Sequence, residues 1–498
     1  MNPSSLSSFI WRYSGAALLG ILLMFFLGAN FFIPYRNLPG LAIPILLACV
    51  ALTLFSFLAR KQCFDVTLAE RLHKDPQYSA LALIILSGIA IRALWVFHFP
   101  SEQFSDFQSY WDAALRILNE GRYYYSDKVH GGELVAWRPV GFPGILAAMI
   151  EIFGDDPSKI PVGINIAAYV LASLLIYRVV AVYFPAPISL LPVVLLTLYP
   201  ESIAASALAA SEPLSLALLS GVFSFLVVPI RGQPLPSSFL AGILLGVLVL
   251  IKPGFMLLPL GIAILLAMRF GVSRGAAISL VFVVASVLVV APWTARNYQL
   301  LGKVIPVSTN GGDVFYRANN PLASGSFTEK GEIDLDQYRY DEVLWSEKGY
   351  EYGKKWIAEN PVSFVALAFR KQSFFFDSGT FVYYALERGL GRAGIQYKVM
   401  RWISLLYWWA MLLLSAIGIL VELKRARPRF SMVLAAAIFL YVLGVHSVFE
   451  SQPRHAVPLF FIVSLFATSG ISALARRSKF FHRALSETTR SSETRAGR

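Results

Sequence analysis

Cysteine is nearly absent from this chain, with two in 498 residues. Cys49 sits in an apolar run and Cys63 in a basic joint, so the pair defines neither a disulfide framework nor a zinc site. Charge is scarce as well. Asp, Glu, Lys and Arg make up 15% of the residues, against about 25% in an ordinary soluble domain. There is no Cys/His cluster, no glycine-rich nucleotide loop and no paired-aspartate metal motif. Soluble nucleotide or ATP chemistry therefore has no support, and neither a metal nor a cofactor is suggested. An internal repeat, the usual mark of transporters built from two related halves, is missing too.

Apolar residues fill the space that charge leaves. They account for 56% of the chain, and the mean hydropathy is +0.61. That is far more than one soluble core of this length holds. A soluble enzyme, a secreted module and a disordered scaffold are excluded. The 43 Lys and Arg exceed the 30 Asp and Glu, for a net charge of +13. In a soluble protein that surplus would suggest nucleic acid. Here the cations sit in the joints between apolar runs, as the positive-inside rule requires. The expected partners are membrane lipids and no nucleic acid.

Apolar runs fall at 13–34, 40–59, 79–99, 160–184, 188–205, 213–230, 240–251, 255–270, 276–293, 403–422, 431–449 and 456–475. Each reads as one crossing, because about 20 apolar residues span a bilayer core. A further run, 140–153, is too short to span and reads as a half-helix or re-entrant piece packed against protein. The N-terminal run lacks a small-x-small cleavage site and reads as a retained first span. Four basic clusters then fall on one side if the N-terminus is cytoplasmic. They are Arg60, Lys61, Arg71 and Lys74; Arg269 and Arg274; Lys424, Arg425, Arg427 and Arg429; and Arg476, Arg477, Lys479 and Arg483.

That orientation gathers the loop 100–139, the joints near Glu201, Glu212 and Lys252, the polar region 294–400 and the joint 450–454 on the outer face. The expected organisation is a two-span N-terminal addition with its cytoplasmic joint (1–78) and a transmembrane module (79–293). An extracytoplasmic region (294–400), C-terminal helices (401–475) and a basic cytoplasmic tail (476–498) follow.

Candidate functional residues collect on that outer face. Asp106 and Tyr110 are four residues apart and share one helix face. An aspartate among Phe104, Phe107 and Trp111 reads either as a general base with a raised pKa or as a helix N-cap beside interfacial aromatics. Arg138 belongs to a Trp-Arg-Pro-Val-Gly stretch where Pro and Gly break regular structure. Glu201 and Glu212 enter apolar runs, where a carboxylate is functional or caps a helix N-terminus. Lys252 can meet a lipid phosphate as a point charge, or snorkel to the interface. Gly242 and Gly246 read as a close helix contact.

The most distinctive stretch is Pro292-Trp293-Thr294-Ala295-Arg296-Asn297-Tyr298. Arg296 there is a phosphate partner or an interfacial anchor. Ser308-Thr309-Asn310-Gly311-Gly312 and Asn319-Asn320-Pro321 are turn signals of an ordered outer loop. The run 338–360, ending before Pro361, reads as a helix in a folded cover. Arg454 and His455 precede the last apolar run, and a lone histidine there reads as structural.

In this order the motifs resemble the GT-C class of membrane glycosyltransferases. They are similar specifically to bacterial relatives of the family 39 dolichyl-phosphate-mannose-protein mannosyltransferases. The resemblance runs from 79 to about 475. It rests on Asp106 with Tyr110, then Gly121, Pro139-Val140-Gly141-Phe142-Pro143 before Phe153-Gly154, Ser211-Glu212, and Gly246 with Lys252-Pro253. The Pro292–Tyr298, Ser308–Gly312, Asn319–Pro321 and Arg454–Pro458 stretches complete it. Three positions depart from the pattern: Phe107 replaces a common second acid, Lys252 an arginine and His455 a tyrosine.

The resemblance implies an all-α polytopic fold, a GT-C-like bundle of about 12–13 transmembrane helices with outer loops after the third span and after Trp293. It implies an inverting transfer of a sugar from a polyprenyl-phosphate donor to a hydroxyl of a lipid, protein or polysaccharide acceptor, with no nucleotide at the site. The setting would be the outer, periplasmic face of a bacterial inner membrane. Asp106 would be catalytic, and Lys252, Arg296 and Arg454 would hold the donor phosphate. Tyr110, Arg138, Glu201, Glu212 and Asn310 would contact acceptor or sugar. A flippase or transporter, or a polymerase or ligase of polyprenyl-linked glycans, is the alternative.

Overall fold

The computed structural model describes residues 76–127, 130–329, 331–390, 394–425 and 429–477. The first two apolar runs and the end of the basic tail lie outside the described residues.

The chain is a polytopic, almost wholly helical membrane protein. Eight of its described helices are long and apolar enough to cross a bilayer, and a bent pair makes a ninth candidate. The first is α1 (Pro76–His98), followed by the amphipathic α2 (Ser105–Glu120), which keeps Phe107, Trp111, Ala114 and Ile117 buried. Two residue pairs then form a short antiparallel ribbon, β1 (Tyr125–Ser126) with β2 (Glu133–Leu134). Beyond it come α3 (Gly141–Phe153) and α4 (Ile160–Tyr183).

The run 188–205 is a bent pair of helices rather than one straight helix. Pro200 interrupts it, leaving α5 (Leu191–Thr197) and α6 (Pro200–Ala204), and the two halves of the run meet at 49°. Arg92, an intramembrane cation that the apolar pattern of α1 conceals, braces the break. It donates to Ser202 Oγ at 2.9 Å and Leu196 O at 3.3 Å, and stacks 3.7 Å over the Tyr169 ring.

Next are α7 (Glu212–Val227), α8 (Pro234–Ile251), α9 (Leu258–Phe270) and α10 (Val272–Leu301). Every residue of α7 is buried, so this 16-residue helix runs through the interior of the bundle and not along lipid. Two expected boundaries are corrected: α8 begins at Pro234 rather than 240, and α10 runs to Leu301 with Pro292 inside it. Polar residues at those ends hid helix that packing supports. The expected glycine contact is present. A Cβ on Gly242 would sit 2.3 Å from Phe282 O, and one on Gly246 2.7 Å from Ser286 O, so α8 and α10 touch backbone to backbone.

The polar region folds into α11 (Gly311–Arg317), α12 (Glu342–Glu359), α13 (Pro361–Phe375) and α14 (Thr380–Leu390). The bundle closes with α15 (Ile395–Leu423), α16 (Phe430–Val448) and α17 (Phe460–Arg477).

Helix α3 settles the topology. At 13 residues it is about 20 Å long, too short for a core of about 30 Å. A Cβ on Gly141 would lie 2.5 Å from the Leu250 carbonyl, at the C-terminal end of α8. Just past its other end, Pro157 O accepts from Gln103 Nε2, which also donates to Ala207 O. Both ends of α3 are thus anchored at one end of the bundle, and the segment does not cross.

Contacts bring the polar loops together at that loop-bearing end: Asp106 meets Arg138 and Arg454, and Thr309 meets Ala136. Two of the basic joints meet at the other: Arg269 stacks 4.1 Å from the Phe430 ring, and Arg429 lies 4.9 Å over Tyr183.

Candidate functional site

Three side chains from distant parts of the chain converge at the loop-bearing end. Asp106 stands in the first turn of α2, where a helix N-terminus favours a carboxylate. The residue flanking the helix is the extended Phe104, which makes no side-chain cap, so Asp106 is free to point elsewhere. Its Oδ1 accepts from Arg138 Nη1 at 2.5 Å, and its Oδ2 from Arg454 Nη2 at 3.1 Å. Burial alone would push this carboxyl upward. Arg454 and Arg138 outweigh burial and hold it well below the usual carboxylate range. The same contact keeps Arg138 charged: Asp106, Tyr110 and Tyr125 overcome its burial and push its pKa up. The raised Asp106 pKa expected from its aromatic neighbours is therefore corrected, because both carboxylate oxygens face guanidinium groups.

Much of the loop-bearing end acts as a frame for Arg138. Thr309 N donates to Ala136 O at 2.8 Å and Asn310 N to Trp137 O at 3.3 Å, so the Ser308–Gly312 turn lies against the strand leading to Arg138. Glu342, at the start of α12, accepts from Val135 N (2.7 Å), Ala136 N (3.1 Å) and Thr309 Oγ1 (2.7 Å). Trp137 stacks on Trp345 at 3.8 Å, and Tyr123 Oη donates to Arg138 O at 2.7 Å. Helix α12 can come this close to α11 only because both carry glycine at the crossing. A Cβ on Gly312 would sit 1.8 Å from Ser346 O.

Arg296 belongs to the same frame. It donates to Val135 O at 2.5 Å and Tyr123 O at 2.9 Å, while Trp293 Nε1 and Asn297 Nδ2 donate to Val307 O. The distinctive Trp-Thr-Ala-Arg-Asn stretch thus ties α10 to the outer loops, and its arginine is taken up by backbone carbonyls. Arg454 is fixed differently, in the turn before α17, where Gln452 and His455 exchange reciprocal cap contacts around it.

A cavity of about 470 Å³ opens at this point. Asp106, Arg138 and Arg454 share its wall with Ser105, Phe327, Asp377, Tyr383, Tyr384, Tyr397 and Arg401. The structure brings some expected residues here and places others nearby. Lys252 pairs with Glu212 at 2.9 Å and is not part of the wall, although Glu212 lies close enough to act on the charge of Arg454. Tyr110 packs edge-on against Phe142, and burial with the neighbouring Asp106 charge pushes its phenol up. Asn310 accepts from Ser308 Oγ at 2.9 Å, within its own turn. Glu201 is buried and caps the start of α14, accepting from Phe381 N at 2.8 Å.

Sequence reasoning missed Asp377, Arg401 and the three tyrosines of the wall. Asp377-Ser378-Gly379-Thr380 carries a turn signal, but nothing in its spacing links it to Asp106. Among the described residues, no three His, Cys, Asp or Glu side chains gather into a metal-binding group.

No family model and no curated protein matches the chain. Solved structures align with it over much of its length. The Archaeoglobus fulgidus oligosaccharyltransferase in its apo form aligns at a TM-score of 0.49 and 13% identity, over 83% of this chain and 52% of that one. The archaeal oligosaccharyltransferase AglB from the same organism, in complex with an inhibitory peptide and a dolichol-phosphate, gives 0.48 and 14%, over 84% and 52%. ArnT from Cupriavidus metallidurans, in the apo state, gives 0.37 and 13%, over 80% and 79%. The chain spans about half the length of the first two. The chemistry rests on the site's own residues.

Proposed function

We propose that the protein is a glycosyltransferase of the GT-C class that takes a sugar from a polyprenyl-phosphate donor and passes it to an acceptor hydroxyl, with inversion. The reaction takes place on the outer, periplasmic side of a bacterial inner membrane. The observation that carries this reading is the convergence of Arg138 and Arg454 on Asp106 in the wall of a cavity at the loop-bearing end of the bundle. Two guanidiniums side by side suit a phosphate that gains charge as the sugar leaves, because planar forks bind such oxygens bidentately. The tyrosines of the wall offer flat, amphipathic surfaces for a sugar ring.

Asp106 accepts from both arginines and holds them beside each other. Each guanidinium spends one nitrogen on that carboxylate, which leaves further N–H donors for an entering phosphate. Lys252, through Glu212, continues the alternation of charge behind Arg454. Arg296, Asn310 and Glu342 act at a distance by fixing the strand that carries Arg138.

Two basic joints, those of Arg269 and Arg429, support the orientation, since they meet at the end opposite the cavity. Purified protein supplied with radiolabelled polyprenyl-phosphate hexoses and pentoses tests the reading. Transfer from one of these donors, lost in R138A and R454A, is expected. Product formed only from polyprenyl-diphosphate oligosaccharides would instead favour a polymerase or ligase. Movement of intact lipid-linked glycan without bond cleavage would favour a flippase.

A further inference from the structure

The proposed transfer needs a group that accepts the acceptor's proton, and Asp106 already has both oxygens committed. Asp377 does not. It lies in the loop between α13 and α14, half-buried, in the same cavity wall as Asp106. Its Oδ1 accepts the Ser378 backbone N–H at 2.8 Å. Among the described residues no Lys, Arg or His forms an ion pair with it, whereas Asp106 holds two. One cavity wall thus carries a carboxylate paired with two arginines and another with no ion pair among the described residues.

The loop that presents Asp377 is firmly built. Glu201, buried among apolar helices, accepts from Phe381 N at 2.8 Å and from Ser404 Oγ at 3.0 Å. Ser378 Oγ in turn lies 2.7 Å from Ser404 Oγ. Burying a carboxylate there is costly, and what it secures is the first turn of α14 and the residues just before it. Gly379 is also required: its φ is +102°, and a Cβ would sit 3.2 Å from Arg401 Cγ. The stem of Arg401 therefore lies over the same turn, and its guanidinium has no partner among the described residues.

We infer that Asp377 is the general base of this site and that Asp106 organises the phosphate-binding arginines. The inference rests on the glycosyl-transfer reading. The acceptor hydroxyl gives its proton to a carboxylate oxygen of Asp377 as its oxygen bonds to the anomeric carbon. The bond from that carbon to the phosphate oxygen breaks, and its electron pair leaves with the polyprenyl phosphate, which Arg138 and Arg454 hold. Glu201 is a positioning residue that acts through the loop.

The test uses the full chain in lipid nanodiscs with two readouts. One is binding of polyprenyl phosphate. The other is consumption of radiolabelled polyprenyl-phosphate hexoses and pentoses, counting transfer to water as well as to added acceptors. D377N and Asp377→Ala should bind polyprenyl phosphate as wild type does, yet lose roughly a hundredfold or more in turnover, the usual contribution of a general base. Asp106→Asn should instead weaken polyprenyl-phosphate binding. Retained binding also reports that each Asp377 variant is folded.

If D377N turns over at the wild-type rate, the inference falls and the glycosyl-transfer reading stands. Loss of polyprenyl-phosphate binding in both Asp377 variants would also overturn it, since Asp377 would then serve binding and not chemistry. A wild-type protein that neither binds polyprenyl phosphate nor consumes any donor overturns both.

Discussion

Replacing Asp106 with alanine removes the one carboxylate that Arg138 and Arg454 share. The two guanidiniums then face each other across the gap. Breaking a buried ion pair from one side costs about 3–5 kcal/mol. These side chains keep 23%, 27% and 16% of their surface, in the order Asp106, Arg138 and Arg454. Solvent in the cavity screens them in part, which lowers the expected loss to about 2–3 kcal/mol. Asparagine keeps one acceptor oxygen and the shape, so it should lose about half as much.

Thermal unfolding in detergent reads this directly, as a lowered Tm for Asp106→Ala and a smaller drop for Asp106→Asn. The pH dependence sharpens the test. The carboxyl's pKa is depressed in the folded protein, so its contribution is fully present above its unfolded value, about 3.9. It is lost only as pH falls below that value, through the still lower folded one. The gap between wild type and Asp106→Ala should stay flat from neutral pH to about pH 4 and close only in stronger acid. A gap that closes between pH 7 and pH 5 would show a raised carboxyl pKa and refute the paired arrangement. An unchanged Tm for Asp106→Ala would do the same.

Other substitutions probe the frame. Arg296→Ala removes the donor to Val135 O and Tyr123 O; it should cost about 2–3 kcal/mol in stability while polyprenyl-phosphate affinity in the folded fraction changes little. A specific loss of that affinity at unchanged stability would return Arg296 to the phosphate site. Glu342→Gln leaves one of two backbone donors or the Thr309 hydroxyl poorly paired, and should raise the donor KM by loosening Arg138, with kcat less affected. Gly312→Ala places a methyl where Ser346 O now lies, and should lower Tm through overpacking of about 1–3 kcal/mol.

What the sequence made legible follows from what each signal depends on. Apolar runs depend only on local composition, so most crossings could be read from them. The short run that became α3 was legible for the same reason, since length alone forbids it to span. Boundaries such as the start of α8 and the end of α10 were hidden because packing, not apolarity, keeps those turns helical.

Asp106 and Arg454 were picked out as charges at span ends, but their mutual contact is a tertiary fact that no spacing encodes. That contact also reverses the expected pKa shift: burial was legible in the neighbouring aromatics, and the two arginines that overcome it were not. Arg296 and Asn310 belong to the motif stretch that stood out most, and both serve the frame. Asp377 sits in an ordinary turn and becomes visible only when α14 folds back over the cavity.

The account depends most on the claim that the Asp106–Arg138–Arg454 cluster takes a lipid phosphate. Equilibrium binding of polyprenyl phosphate to the protein in nanodiscs, compared among wild type, Arg138→Ala and Arg454→Ala, measures that claim most directly. The account predicts saturable binding by wild type and a loss of about tenfold or more in each variant, the worth of one charge-assisted contact to phosphate. Binding that is absent in wild type, or equal in all three proteins, would contradict it.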